Sequence, residues 1–395
     1  MKEILVCGVA NSANLGDRII AETVNYIIHS TNELTQIYNF DLTDGKVRDF
    51  DNKSIIKLNS TGLLKQLTPD YMRRLKVYRK YKKNRGLETE LKKSVAKADL
   101  IVIGGGHLLI DNYLNFPIGI SNIIKEARLN NIPVIFAFVG AKGPWSKTAK
   151  KLLLDALEYA DYISVRDSES RRFLVSLSES LSNKVVTLSD PAIFVNDMIG
   201  DDEKNTHTKT TKIGLGIMDP NVIRRHSKYR WSREDAKIWW VSLAKKLSAR
   251  GYEVNIFTNG ASTDNGFVEY FIKKELATVE KVSFLDYPTS YKDVLSCIQK
   301  QDVVIAQRLH ACLPSISLMK QTFGLVWDIK LKSIYNELGL SDYIIDFNEE
   351  VDIVINKIIN KLEQNHHLDT QVIENINVRK RELLDFVKRG VGEKD

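Results

Sequence analysis

Around residue 308 an arginine and a histidine stand two positions apart, directly behind an apolar run: Asp302-Val-Val-Ile-Ala-Gln-Arg308-Leu309-His310-Ala311. Val303–Ala306 reads as a buried strand, so both side chains fall at its carboxyl end. If the backbone stays extended through Leu309, Arg308 and His310 point to the same face, because strand side chains alternate with period two. A guanidinium fork grips a carboxylate or phosphate through two parallel hydrogen bonds. An imidazole beside it can exchange protons near neutral pH. The plainer alternative is a helix start carrying an ordinary surface arginine. Lys330 follows another apolar run that ends at Val326 and would add a second cation to the same rim.

Four further loops carry chemistry-bearing residues just behind apolar runs. The first, Asn14-Leu-Gly16-Asp17, leads into a helical pattern. Gly16 suits a tight turn, and the free N–H groups of a helix start suit an anion. Asp17 is either a site carboxylate or the cap of its own helix. Next come Gly104, Gly105 and Gly106; three glycines cost conformational entropy, which implies a close approach or a sharp turn. His107 beside them is read as incidental. A third loop holds Gly140 and Gly143-Pro144. The fourth is Arg166-Asp167-Ser168-Glu-Ser170, where Arg166 either points into a cleft or pairs locally with Asp167.

The elements that position these loops follow from hydrophobic patterning. Strands are expected at Ile4–Val9, Leu100–Ile103, Val134–Val139, Tyr162–Val165 and Val185–Leu188, with amphipathic helices between them. Runs nearly continuous in Val, Ile and Leu, separated by helices, indicate a parallel sheet covered on both faces. A polar stretch over 196–211 reads as a linker. Then the alternation restarts, with strands at Lys212–Ile217, Glu253–Phe257, Val282–Leu285, Val303–Ala306 and Phe323–Val326. The expected fold is therefore α/β with two Rossmann-like domains, 1–195 and 212–365, and a charged helical tail over 366–395. The first domain carries a basic helical insertion at about 46–95. Open α/β sheets bind ligands outside the carboxyl ends of their strands. Two facing sheets would place the site in the cleft between them.

Composition narrows the function classes. Hydrophobic residues make up 43% and charged residues 27% of 395, which fits a globular chain with more than one core. Cys7, Cys297 and Cys312 each lie in an apolar run, which favours reduced thiols in a cytoplasmic protein over disulfides. No cysteine or histidine spacing suggests a metal site. No apolar run reaches the roughly 20 residues of a membrane span.

The net charge of +7 is concentrated in one place. Arg73, Arg74, Lys76, Arg79, Lys80, Lys82, Lys83 and Arg85 fall between residues 71 and 85 without an acid, and taking these eight from +7 leaves −1. A nucleic-acid footprint over the whole protein is thus not expected. The basic segment instead suits contact with an anionic membrane or a lipid-linked pyrophosphate.

The ordered set of motifs resembles the polysaccharide pyruvyl transferase family. The matching pieces are Asn14-Leu-Gly16-Asp17, Gly104-Gly105-Gly106, Gly140-x-x-Gly143-Pro144, Val165-Arg166-Asp167-Ser168-x-Ser170, Asp190-Pro191-Ala192, Arg308-Leu309-His310-Ala311 and Trp327-Asp328-Ile329-Lys330, followed by Leu338-Gly339-Leu340. One departure is Trp327, where the family commonly has tyrosine. The resemblance implies a fold like the two-domain GT-B glycosyltransferases. It also implies transfer of pyruvate from phosphoenolpyruvate onto a saccharide as a cyclic ketal, without a metal or other cofactor. On that reading His310 is the acid/base, and Asp17 orients the acceptor. Arg308, Leu309, Arg166 and Lys330 hold the donor, and Asn14, Gly16, Gly104, Gly105, Gly106, Gly140 and Gly143 form the loops of the cleft. The acceptor would belong to a cell-surface glycan, free or lipid-linked, and the enzyme would work in the cytoplasm, at the inner membrane face for a lipid-linked acceptor. The competing readings are a glycosyltransferase with a nucleotide-sugar donor and a ligand-binding relative without turnover.

Overall fold

The computed structural model describes residues 2–12, 14–48, 70–83, 85–200, 210–226, 231–364 and 368–392. The chain divides into two compact units. One comprises Met1–Ala13, Ile20–Pro191 and Arg379–Asp395; the other comprises Asn14–Ile19 and Ala192–Val378. These boundaries differ from the simple N-to-C division expected from the linker. The helix Leu15–Thr31 changes unit after Ile19, and the tail helix Thr370–Val391 joins the first unit from Arg379 onward. Gly390 lies against the Ile135 side chain, so the tail is part of the first unit rather than an appendage. Most of the expected linker, 201–209, lies outside the described residues.

In the first unit seven strands form one sheet in the order β3-β2-β1-β4-β5-β6-β7. They are β1 (Lys2–Gly8), β2 (Thr35–Asp41), β3 (Val47–Arg48), β4 (Leu100–Gly104), β5 (Val134–Val139), β6 (Tyr162–Val165) and β7 (Val185–Thr187). All pairings are parallel except β2 with β3. The apolar runs form strands because both faces of the sheet are covered. Leu5, Cys7, Ile101, Ile103, Val134, Phe136, Ile163 and Val165 are all fully buried in one core.

The second unit repeats the plan with six strands in the order β10-β9-β8-β11-β12-β13. These are β8 (Lys212–Gly216), β9 (Glu253–Phe257), β10 (Val282–Phe284), β11 (Val303–Ala306), β12 (Gln321–Val326) and β13 (Ile344–Asp346), all parallel. The register aligns the strand ends: Gly216 pairs with Phe257 and Ala306, and Ala306 pairs with Gly324. In each unit the strand order reverses beside the first strand, between β1 and β4 and between β8 and β11. Such a switch point leaves a crevice at the carboxyl ends, where loops can meet a ligand.

The described residues contain no helix long and apolar enough to cross a membrane. All three cysteines are buried and free. Burial pushes the Cys312 thiol up to about 12 and the Cys7 thiol higher, so neither supplies a thiolate nucleophile at neutral pH.

Candidate active site

Four strand ends of the second unit carry its polar groups: β8 leads to Asp219, β9 to Asn259 and Asp264, β11 to Arg308 and His310, and β12 to Trp327 and Lys330. The chain does not stay extended past Arg308. It starts the helix Leu309–Ser317 there, with Arg308 as the N-cap (φ −85°, ψ 132°) and His310 already in the first turn (φ −86°, ψ 20°). The Arg308 carbonyl accepts the N–H groups of Ala311 and Cys312 at 2.9 and 3.0 Å. The two side chains are therefore arranged by a helix start, and the strand alternation expected from their spacing does not apply. Leu309 between them is half-buried.

Arg308 is already engaged on one edge. Its Nε and Nη2 donate to Oδ2 and Oδ1 of Asp264 at 2.5 and 2.9 Å, and Asp264 is fully buried while the arginine side chain is 21% exposed. The Asp219 N–H donates to Asp264 Oδ1 as well, at 3.0 Å. Asp219 in turn accepts from Arg233 Nε at 3.1 Å and Nη2 at 2.6 Å. Burial pushes the Asp219 carboxyl up, but the hydrogen bonds from Arg233 and the Asn221 N–H outweigh it and hold the group below the usual carboxylate range. The result is a chain of two carboxylates and two guanidiniums with no net charge, and it fixes the plane of the Arg308 fork.

His310 is placed by close packing. Asn259 Nδ2 donates to the His310 carbonyl at 3.0 Å. A Cβ on Gly16 would stand 2.7 Å from His310 Nδ1, so only glycine lets the start of the first helix come this close to the ring. In that turn Asn14 is the capping residue, its Oδ1 accepting from the Gly16 N–H at 3.1 Å and its carbonyl from the Asp17 N–H at 3.1 Å. Asp17 is therefore not the cap, and it sits half-buried one residue beyond the glycine that touches His310. Leu15 fills the space above Gly260 (φ 78°), which completes the seat.

Lys330 lies in the first turn of the helix Ile329–Glu337, whose N-cap is Asp328. Trp327 donates from its indole nitrogen to the Gln307 carbonyl at 3.0 Å, tying the Lys330 segment to the residue before Arg308. An aromatic hydrogen-bond donor is thus what this position uses.

The remaining expected residues gather in the first unit. Arg166 is 7% exposed, and its partner is Asp190 (Nη1 to Oδ2, 2.9 Å) rather than the adjacent Asp167. Asp167 caps the helix Ser168–Leu177 by accepting from the Ser170 N–H. Ser170 Oγ bonds both the N–H and the carbonyl of Ala141, holding the Gly140–Gly143 loop to that helix. The other edge of Arg166 meets His107, with Nη2 2.9 Å from Nδ1. Arginine has no acceptor, so His107 Nδ1 must accept, and the neutral ring carries its proton on Nε2. His107, read from sequence as incidental, is the histidine fixed here. Gly140 lies where a Cβ would come within 3.1 Å of that ring and 3.3 Å of Arg166 Nε. Gly105 and Gly106 both adopt positive φ, at 71° and 76°. A side chain at Gly105 would strike Ile20, and Gly104 packs at van der Waals distance from Val24. The glycine run is thus explained by the sharp turn and by close packing on the first helix.

Asp264, Asp190 and Asn259 were not read from sequence as site residues. For Asp264 and Asn259 the available signal was position, since each follows a strand of a parallel sheet; Asp190 stood in the Asp190-Pro191-Ala192 motif without a role assigned to it. Among the described residues no group of three or more histidine, cysteine or acidic side chains is placed to hold a metal ion.

Residues 14–329 match the family model of polysaccharide pyruvyl transferase. Among solved structures the chain is similar to the UDP-GlcNAc 2-epimerase of Methanocaldococcus jannaschii, with 11% identity over 91% of this chain and 92% of that one and a TM-score of 0.58. The S. aureus MnaA–UDP co-structure gives 12% identity, 100% and 99% coverage and a TM-score of 0.58. A glycosyltransferase from Rickettsia africae gives 11% identity, 100% and 99% coverage and a TM-score of 0.55. At these identities the likeness is one of fold, that of GT-B glycosyltransferases and epimerases with two Rossmann-like domains. No curated protein matches the chain.

Proposed function

The chain belongs to the polysaccharide pyruvyl transferase family, and from that premise we propose that it transfers pyruvate from phosphoenolpyruvate to two hydroxyls of a saccharide, forming a cyclic ketal. The observation that carries this reading is the turn after β11, where an oriented guanidinium and an imidazole meet at one helix start. Phosphoenolpyruvate bears a carboxylate and a phosphate ester on the same central carbon. Arg308 keeps its Nη1 side for one of these anionic groups while Asp264 holds the opposite edge. Lys330 supplies a point charge, and the N-termini of Leu309–Ser317 and Ile329–Glu337 add partial positive charge. Leu309 lies against the donor's apolar edge.

The chemistry balances as follows. The enol methylene takes a proton and becomes the methyl group, while the first sugar hydroxyl adds to the central carbon. The C–O bond to phosphate then breaks, and the second hydroxyl adds to the same carbon. One hydroxyl proton ends on the methyl group and the other leaves with phosphate. His310 is the group that moves these protons, and each positioned transfer contributes about 10²–10⁴-fold. Asp17, next to the glycine against the His310 ring, orients the acceptor hydroxyl. Arg166 serves donor binding, and its partner His107 offers the Nε2–H as a hydrogen-bond donor; Gly140 lets the ring pack this close. No step in this scheme draws on a metal or redox cofactor.

The GT-B likeness favours one competing reading, sugar transfer from a nucleotide donor. Incubation with phosphoenolpyruvate or with a nucleotide sugar, each alongside candidate saccharides, separates the two. Release of inorganic phosphate with a pyruvyl ketal on the sugar is expected. Release of nucleoside diphosphate, with no reaction of phosphoenolpyruvate, would refute the proposal.

A further inference from the structure

The basic segment forms the helix Asp70–Lys83, and its two faces differ in what they touch. One face is anchored to the first unit. Arg73 donates to the Tyr113 hydroxyl at 2.5 Å with its guanidinium 4.8 Å from that ring. Lys80 donates to the Thr43 carbonyl at 2.6 Å and to Asn115 Oδ1 at 3.2 Å. The Tyr81 hydroxyl bonds the carbonyls of Leu42 and Asn115, both at 3.3 Å. Burial pulls the Lys80 amine below the usual lysine range against the opposing pull of Asp44 and Asp41. Lys80 and Arg73 are therefore tethers, not part of a solvent-facing charge patch.

The opposite face is exposed and mixed in a particular way. Tyr71, Leu75 and Tyr78 follow at helical spacing and are 71%, 45% and 52% exposed, with Met72 beside them at 43%. At about 100° per residue Arg79 falls between Leu75 and Met72. Lys76 and Arg74 flank the stripe, and all three cations are exposed. Arg74 has one weak carboxylate contact, with Asp111 at 3.5 Å. Solvent alone does not account for a leucine, a methionine and two tyrosines on the outer face of an otherwise cationic helix.

We propose that this face docks the protein on a bilayer of anionic phospholipid. The chemistry fits in two parts. Leucine and methionine enter the boundary between head groups and acyl chains, and tyrosine rings sit at the head-group level. Arginine and lysine lay their stems along the same boundary and hold their charges against lipid phosphates. Nucleic acid would use the cations and the tyrosines but has no use for Leu75 and Met72. The helix rests on the loop after β2 and on Asp111–Asn115 after β4, which is the carboxyl edge of the sheet that also carries His107. Docking there brings that edge to the membrane surface. The inference does not depend on the pyruvyl-transfer reading, because it is read without donor or acceptor.

The test is co-sedimentation of the full chain with vesicles of phosphatidylcholine alone or mixed with phosphatidylglycerol, at low and high salt. Binding to the mixed vesicles is expected, strongest at low salt because salt screens the attraction. Lys76→Gln with Arg79→Gln should weaken it about twenty-five-fold, taking about fivefold for each cation near the surface. Tyr71→Ser with Leu75→Ser should weaken it at both salt concentrations. These side chains are exposed, so circular dichroism should be unchanged. Equal binding to neutral and anionic vesicles overturns the proposal, as does unchanged binding in both variants. Displacement of the vesicles by a single-stranded oligonucleotide at lower concentration would overturn it in favour of nucleic acid.

Discussion

Asp264→Ala separates two ways in which Arg308 could serve an anionic donor. If Arg308 acts only as a positive charge, removing its buried counter-ion unmasks that charge and the donor binds more tightly. If it acts as an oriented fork, losing the carboxylate lets the side chain rotate and the donor binds less well. The two effects can be sized. An anion on the far side of the guanidinium would sit about 7 Å from the carboxylate, and in a partly exposed site with an effective dielectric of about 40 the lost repulsion is about 1 kcal/mol. Freeing the arginine costs about 2 kcal/mol of rotamer entropy when it must be ordered again on binding. Orientation wins by about 1 kcal/mol, so phosphoenolpyruvate should bind roughly fivefold more weakly, with a larger loss in turnover because the fork also sets the donor's position. The variant also leaves the Asp219 N–H without the Asp264 oxygen it bonds at 3.0 Å, and a lost buried hydrogen bond costs about 1–3 kcal/mol of stability. Isothermal titration with phosphoenolpyruvate, on protein shown to be folded by circular dichroism, gives the answer. Tighter binding by Asp264→Ala would refute the oriented-fork argument and leave Arg308 as a simple charge.

Two further substitutions test the His310 seat. His310→Ala should abolish transfer and leave phosphoenolpyruvate affinity within a few-fold, measured by phosphate release and by calorimetry; near-normal turnover would remove it from the mechanism. Gly16→Ala places a methyl group 2.7 Å from His310 Nδ1. It should lower turnover more than donor affinity, with a stability loss of roughly 1–3 kcal/mol from overpacking; wild-type turnover would show that the ring position is immaterial.

The strands most legible in the sequence are those buried on both faces, which are built mostly of apolar residues. β5 (Val134–Val139) is buried at every position, and its apolar run marks its limits. The strands it hid either carry buried polar residues or are short strands at a sheet edge. In β2, Asn39 and Asp41 are buried polar residues within a strand, and they break the apolar signal. β3 has two residues and β13 three, too few for any pattern. The basic segment was legible as charge but not as faces. Only the contacts of Arg73, Lys80 and Tyr81 show which cations are tethers.

The candidate site was legible in the same one-sided way. Arg308, His310 and Arg166 announce themselves because a charged residue behind an apolar strand is conspicuous. Their pairing with carboxylates is not legible, because the partners lie far along the chain, 44 residues from Arg308 at Asp264 and 24 from Arg166 at Asp190, the latter visible only as part of a motif. Each acid sits near the start of a helix, where an aspartate is unremarkable. Yet these partners change what the cations can do. A bare cleft of arginines would attract any anion in proportion to its charge. An arginine whose one edge is held by a buried carboxylate contributes little net field and offers instead a fixed pair of N–H directions. That arrangement favours a ligand whose carboxylate and phosphate are set at one particular angle over inorganic phosphate of similar charge. On the proposed reading, in which phosphate is released from phosphoenolpyruvate, such selection by shape would keep the released phosphate from competing with the donor.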